Sequence, residues 1–339
     1  MEELNMKYPY LIDEKKYRRF DPKNSMLQRP SWDESLSTYG KWISTNVEKV
    51  MTSKKSGFGR LEFSMSEASW VVHDKFSYAF TWEGEEPSQN WKKKRFEIQD
   101  VKRFTRKIKK VAKFFGAAEV GITKVDEKWL YQGIELPKGV DTAIVILIEM
   151  DKIGISTSPS IISSATTGKA YSTMAFVLSC MGEFIRNLGY RAVQSGNDTA
   201  LSIPLAIDAG LGALGRNGLL VTKKYGPRVR ICKIFTDLPL SIDQPDYEFI
   251  QCLTNFCRTC RKCADACEKG AISFKEEMNF DHFNISNNPG VKKYYVNVEK
   301  CFEFWVEYGS DCSKCIAACP FSKIDHFLSP EQFWEDDAF

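Results

Sequence analysis

Eleven cysteines occur in this chain of 339 residues, and eight of them fall in two sets toward its C-terminal end. The first set is Cys257, Cys260, Cys263 and Cys267. The second is Cys301, Cys312, Cys315 and Cys319, with Pro320 following. Disulfide frameworks belong to small secreted domains, which a chain of this length is not. Zinc ribbons draw two ligands from each of two paired knuckles. Three thiolates with two residues between each instead suit three corners of one [4Fe–4S] cube, and in two-cluster ferredoxins the fourth cysteine of the run ligates the other cluster. Exchanging the last cysteines gives cluster one as Cys257, Cys260, Cys263 and Cys319, and cluster two as Cys267, Cys301, Cys312 and Cys315. Glu268 stands where the ferredoxin run has proline, which loosens the turn and removes no ligand. Cys180, Cys232 and Cys252 are left over. Clusters in series carry single electrons and choose no substrate, so the chemistry must lie upstream.

The upstream elements alternate. Phe104, Ile108, Val111 and Phe115 recur at helical spacing within a strongly basic stretch, 91–110, that carries ten Lys or Arg against two acids. That predicts an amphipathic helix whose basic face is either solvated or a dock for an acidic electron donor or an anionic membrane surface. "AEVGITKV" (118–125) and "TAIVILIEM" (142–150) read as strands. A helix is expected over 169–188, from the apolar stripe Tyr171, Met174, Leu178, Met181, Ile185 and Leu188. A strand at 190–196 and a glycine-closed helix over 203–218 follow. "LLVTKKYGPRVRICKIFTDLPL" (219–240) reads as a hairpin turning at Tyr225–Gly226–Pro227. Earlier, "SWVVHDKFSYAFTW" (69–82) suggests a strand or two. The pattern divides the chain into an N-terminal region (1–95), an α/β or α+β core (96–245) and an iron–sulfur module (246–339).

A formal charge of +3 is too small to imply a nucleic-acid partner. No apolar run reaches the ~18 residues that span a bilayer. The N-terminal stretch has no signal-type apolar segment, although "RRFDPK" (18–23) shares the paired arginines of a twin-arginine signal. A cytoplasmic protein is therefore expected, or a membrane-associated one outside the cytoplasm if such a leader has been removed. There is no P-loop, and no G-x-G-x-x-G follows a strand, so nucleotide binding has no motif. The glycines of "AGLGALGRNG" are compatible with cradling a phosphate or packing on a flat cofactor.

Four blocks resemble the corrinoid-dependent, iron–sulfur reductive dehalogenase family: residues 195–240, the first cysteine run with Phe256 before it, 286–305, and 312–323. The resemblance covers about residues 96–325. It implies a nitroreductase-like, cobalamin-binding α/β (α+β) core fused to a ferredoxin-like domain with two [4Fe–4S] clusters. Family members typically carry a twin-arginine leader and a larger N-terminal part, both of which look reduced or absent here. The corrinoid motif that supplies a lower-ligand histidine, D-x-H-x-x-G, does not occur around His73, His282 or His326. A base-off cobalamin without a protein ligand is compatible with that.

The resemblance assigns the catalytic set to Tyr171, Asn197 and Arg230. Removing halide reductively leaves a carbanion- or radical-like carbon that needs a proton; a positioned tyrosine can give it. Arg230 would stabilise the phenolate left behind, and Asn197 would hold the phenol or the halide. Read without the family, Tyr171 is a core tyrosine, Asn197 a turn residue and Arg230 an alternating strand position. Thr167 and Met174, one turn either side of Tyr171, together with Leu220 and Ile231, are the expected corrin contacts. The implied partners are an organohalide and a low-potential electron donor: a ferredoxin, a flavodoxin or a membrane anchor protein. Electrons are expected to enter at cluster two and pass through cluster one to cobalt. Two other readings remain: an epoxyqueuosine-reductase-like enzyme acting on tRNA, whose proton donor is a carboxylate, and a non-catalytic cobalamin or electron-transfer protein.

Overall fold

The computed structural model describes residues 10–75 and 95–335. Its centre is a four-stranded antiparallel sheet in the order β1–β2–β6–β3, built from β1 (Glu119–Lys124), β2 (Thr142–Glu149), β3 (Ala192–Ser195) and β6 (Val229–Thr236). Strand β2 is buried on both faces, which is why its sequence is a continuous apolar run rather than an alternating one. Ile144, Ile146 and Ile148 join a core with the long helix Ile161–Asn187 and the basic helix Val101–Phe114. Ala143, Val145 and Leu147 face the opposite core, with Trp129 and the helix Ser202–Asp208. The basic helix buries Ile108 and Ala112 as its spacing predicts, and Phe104, Val111 and Phe115 pack beside them.

Four local expectations change, the simplest being that the helix expected over 203–218 ends at Asp208. The long helix begins eight residues earlier than its apolar stripe indicates. Ser160 caps it by accepting from the Ser163 amide, and the small residues ahead of the stripe are buried in its first turns. They are small because the backbone must pass close to its neighbours: a Cβ on Gly168 would lie 2.6 Å from the Trp70 indole nitrogen. Residues 69–75 are not strand but the end of a helix, Arg60–Lys75, packed on the long helix, with Ser172 Oγ donating to the Ser69 carbonyl. Tertiary packing there overrides the β-propensity of Val71 and Val72; residues 76–82 lie outside the described residues.

The hairpin over 219–240 does not form as read. The short strand β5 (Leu220–Val221) pairs with β4 (Ala213–Leu214), while β6 pairs with β2 and β3. Only a tight Thr222–Gly226 bridge survives of the turn. Gly226 has φ +58 and sits where a Cβ would be 2.4 Å from the Phe321 backbone, so the loop is spent on docking the iron–sulfur module.

The N-terminal region lies along that module. Arg29 pairs with Glu299 at 2.5 Å, Asn46 donates to the Val306 carbonyl, and Gly290 packs against the Tyr17 backbone. Among the described residues no helix is long and apolar enough to cross a membrane.

Candidate active site and cluster loops

The antiparallel register explains how three distant residues meet. Ser195 at the end of β3 pairs with Lys233 on β6, so Asn197, two residues on, comes level with the start of β6, where Arg230 lies. Arg230 faces the long helix, and its Nη2 donates to Thr167 Oγ1 at 3.2 Å. One turn along, Asn197 Nδ2 donates to the Tyr171 hydroxyl at 2.6 Å. The Arg230 guanidinium stands 5.2 Å from the Tyr171 ring centroid. Its Nε is buried and has no partner among the described residues. An orphaned guanidinium N–H at such a point costs free energy unless a bound group satisfies it.

Two supporting groups escaped the sequence reading. Trp70 stacks on Tyr171 at 5.2 Å with a 23° tilt, and His73 meets the same ring edge-on at 5.5 Å. Their spacing, three residues apart on a helix, is the available signal, which the β-branched Val71 and Val72 between them obscure. Lys233 is the second miss. This fully buried lysine donates to the carbonyls of Gly196 (2.5 Å), Asp198 (3.0 Å) and Ala200 (3.1 Å), and to Ser202 Oγ. It clamps the loop that presents Asn197, a loop strained enough to hold Thr199 at φ +68. A lysine in the middle of a β-branched strand was the visible hint. Desolvation pushes its ammonium down to about 8.

Asn197 and Arg230 line a cavity of about 570 Å³, within the range of small-molecule sites. Tyr10, Phe20, Trp129 and Tyr131 form an aromatic part of its wall, and Lys293 lines it too. The four expected corrin contacts are not gathered there. Met174 is wholly buried in the core and Leu220 nearly so, because both point between sheet and helix rather than outward. Thr167 is buried against Arg230, and Ile231 packs on the opposite core. The lining residues Leu214, Gly218, Leu219 and Val296 come from the β4–β5 turn and the segment before Cys301.

The cysteines of the two sets lie near one another in the fold. The Cys263 thiol is raised by burial and by the neighbouring Cys319, Cys257 and Cys260. Cys315 is raised by burial and by Cys301, Cys312, Cys263 and Cys267. Buried thiols brought together like this repel each other as thiolates, and a cationic cluster removes that cost. A single zinc would draw its sulfurs to within ~4 Å of each other, since Zn–S is ~2.3 Å. Among the described residues no group of three His, Cys, Asp or Glu side chains is arranged to hold one metal ion.

Buried Arg216, from the glycine-rich segment, locks the first cysteine loop. Its guanidinium donates to the carbonyls of Cys257, Cys260, Ser273 and Lys275, and it lies 4.0 Å over the Tyr294 ring. The glycines around it are filled by protein: a Cβ on Gly212 would meet the Val221 carbonyl at 2.4 Å. Gly210, Gly212 and Gly215 serve close backbone packing, while Gly218 lines the cavity. On the second loop, the Ala271 amide donates to Cys267 Sγ at 3.3 Å, and Lys314 pairs with Glu268, the residue in the usual proline position.

The cysteines that line the cavity are Cys267, Cys301, Cys312 and Cys315, the set expected for cluster two.

A core sheet between helical layers, joined to a cysteine-rich module across a cavity, defines an iron–sulfur redox protein. Residues 256–323 match the 4Fe-4S dicluster domain family. The chain is 46% identical over 215 residues to a tetrachloroethene reductive dehalogenase of Desulfitobacterium hafniense, covering 62% of this chain and 38% of that one. It is 37% identical to the Dehalobacter restrictus tetrachloroethene reductive dehalogenase, covering 70% and 50%. Over 96% of its length it superposes on the catabolic reductive dehalogenase NpRdhA in complex with 3-bromo-4-hydroxybenzoic acid, with TM-score 0.73, 24% identity and 46% of that chain covered. By sequence and by fold the chain is a relative of the reductive dehalogenases. It spans half or less of the length of these two curated relatives.

Proposed function

We propose that the protein is an oxidoreductase that cleaves a carbon–halogen bond of an organohalide reductively, using two [4Fe–4S] clusters and cobalamin. The observation that carries this is the placement of Asn197 and Arg230 on one wall of a cavity whose other wall includes the cysteines of cluster two. A solved relative, 25% identical with TM-score 0.72, is described as suggesting a mechanism for B12-dependent dehalogenation. The residues here fit such a group: a wide cavity, an unsatisfied Arg230 Nε and no histidine among those lining it. Bound there, a corrinoid would supply the low-potential metal centre that breaks the carbon–halogen bond.

The protein's own share is electron delivery and proton transfer. Held by the two cysteine sets, the clusters would supply the two electrons of each turnover from a low-potential donor, with Cys267, Cys301, Cys312 and Cys315 on the cavity side. One carbon–halogen bond breaks, halide leaves with the bonding pair, and the carbon takes one proton. Tyr171 gives that proton. Because Asn197 donates to the phenol oxygen, the hydroxyl proton is free for the substrate and the phenolate left behind is already hydrogen-bonded. Arg230 adds positive charge beside the ring. Trp70 fixes the ring plane, and Lys233 fixes the loop that bears Asn197. The exposed basic face of the helix Val101–Phe114 suits an acidic donor protein.

The test is halide release from tetrachloroethene and 3-bromo-4-hydroxybenzoate under reduced viologen, with cluster and corrinoid content verified. A protein loaded with both cofactors that frees no halide from any organohalide is a carrier, and the enzymatic reading is then wrong.

A further inference from the structure

Among the described residues Lys293 is a cation with no counter-charge. Its side chain lines the cavity, and among the described residues its Nζ makes neither a hydrogen bond nor an ion pair; its one recorded contact is the Tyr295 ring, 4.7 Å away. Its backbone is pinned by two hydrogen bonds to Asn279, so the side chain is aimed rather than adrift. The side chain keeps some surface where it meets the cavity, yet the protein around its ammonium desolvates it and pushes its pKa down to about 8. Of the other cavity cations, Lys269 pairs with Glu307 at 2.6 Å and Lys314 pairs with Glu268, while Arg230 donates to Thr167, stands over the Tyr171 ring and keeps an Nε with no partner among the described residues. Glu268, the acidic residue lining the cavity, is thus taken.

A desolvated ammonium that faces a cavity without an ion pair of its own is costly, and an anionic group on a ligand offsets that cost. The ligand must then be large, mostly uncharged at its rim, and anionic at one point. A cobalamin has that make-up: its corrin ring is bordered by neutral amides, and its nucleotide loop carries a single phosphodiester. The geometry points to Lys293 as the residue that binds the phosphodiester of the corrinoid's nucleotide loop. This assignment rests on the proposed cofactor and adds where its tail is held.

The experiment uses the full chain, assembled with its iron–sulfur clusters but produced without corrinoid. Cobinamide, which lacks the nucleotide loop, and cobinamide phosphate, which keeps the anionic group, are titrated by absorbance into the wild type, Lys293→Met and Lys293→Arg. The wild type should bind cobinamide phosphate about tenfold or more tightly than cobinamide, the effect expected of one charge-assisted hydrogen bond. Lys293→Met should bind the two equally, with cobinamide affinity and iron content unchanged, and Lys293→Arg should restore much of the preference. A wild type that binds both corrinoids equally, or a preference that survives in Lys293→Met, overturns the assignment while leaving the cofactor reading intact. A wild type that binds neither overturns the cofactor reading, and the assignment with it.

Discussion

Replacing Tyr171 with Phe isolates one hydroxyl. The ring keeps its stack on Trp70 at 5.2 Å, its edge contact with His73 at 5.5 Å and the Arg230 guanidinium at 5.2 Å. What is lost is the 2.6 Å bond from Asn197, an exposed residue whose amide can turn to solvent. The stability cost is therefore about 1 kcal/mol, and the fold should survive with both clusters and the corrinoid in place. The rate should fall by ~10²–10⁴, the usual contribution of a positioned acid, or ~3–5 kcal/mol of barrier. The assay is single-turnover halide release under saturating reduced viologen, on wild type and variant matched for iron and cobalt. Cluster reduction, followed optically, should be unchanged, because electrons do not pass through the phenol. Wild-type halide release in Tyr171→Phe would remove the proton-donor role and leave Tyr171 as the core residue its helical spacing alone suggests.

Arg230→Leu should slow the same step, so the double variant with Tyr171→Phe should lose less than the product of the two single losses; a product-like loss would place Arg230 elsewhere in the cycle. Cys319→Ser should damage cluster one, whose other ligands lie more than fifty residues away, while Cys252→Ser leaves the iron content unchanged; paramagnetic resonance of the reduced protein that shows only cluster two altered contradicts the exchanged ligand sets. Asp208 accepts from Tyr10 at 2.9 Å and from Trp129 at 3.1 Å, yet burial lifts its carboxyl from 3.8 to about 6. The folded state then holds more protons than the unfolded one between pH 3.8 and 6, so this group's contribution to stability falls as pH rises through that window, by up to ~3 kcal/mol. Asp208→Asn can keep both partners, accepting from the indole and donating to the phenol oxygen. It should raise the melting temperature at pH 7.5 by several degrees and by less at pH 5; an equal shift at both would show that the ionised carboxylate carries no such penalty.

Chemistry was more legible in the sequence than architecture. Cysteine spacing is a local code, so the two ligand sets could be paired before any coordinates, and the Tyr171, Asn197 and Arg230 set came from motif resemblance and converges in the fold. The strands β1 and β2 were plain because their residues are β-branched and continuous. The failures share a cause: pairing and packing partners far away in the chain. Leu220 reads as half of a hairpin with β6 until β4 claims it. Met174 and Tyr171 lie on the same apolar stripe, and only the packed helix shows that one is sealed in the core while the other meets Asn197. Trp70 was hidden because Val71 and Val72 imitate a strand. Which cysteine set faces the cavity was invisible for the same reason, since the spacing says nothing of it.

The central claim is that a cobalt corrinoid and two iron–sulfur cubes share this chain, with cluster two beside the cavity. Metal and corrinoid analysis of the protein assembled without oxygen and supplied with cobalamin tests it most directly. The account predicts eight irons and one cobalt per chain, with no zinc. Eight irons with no retained cobalt would leave the cavity to another ligand and contradict the account.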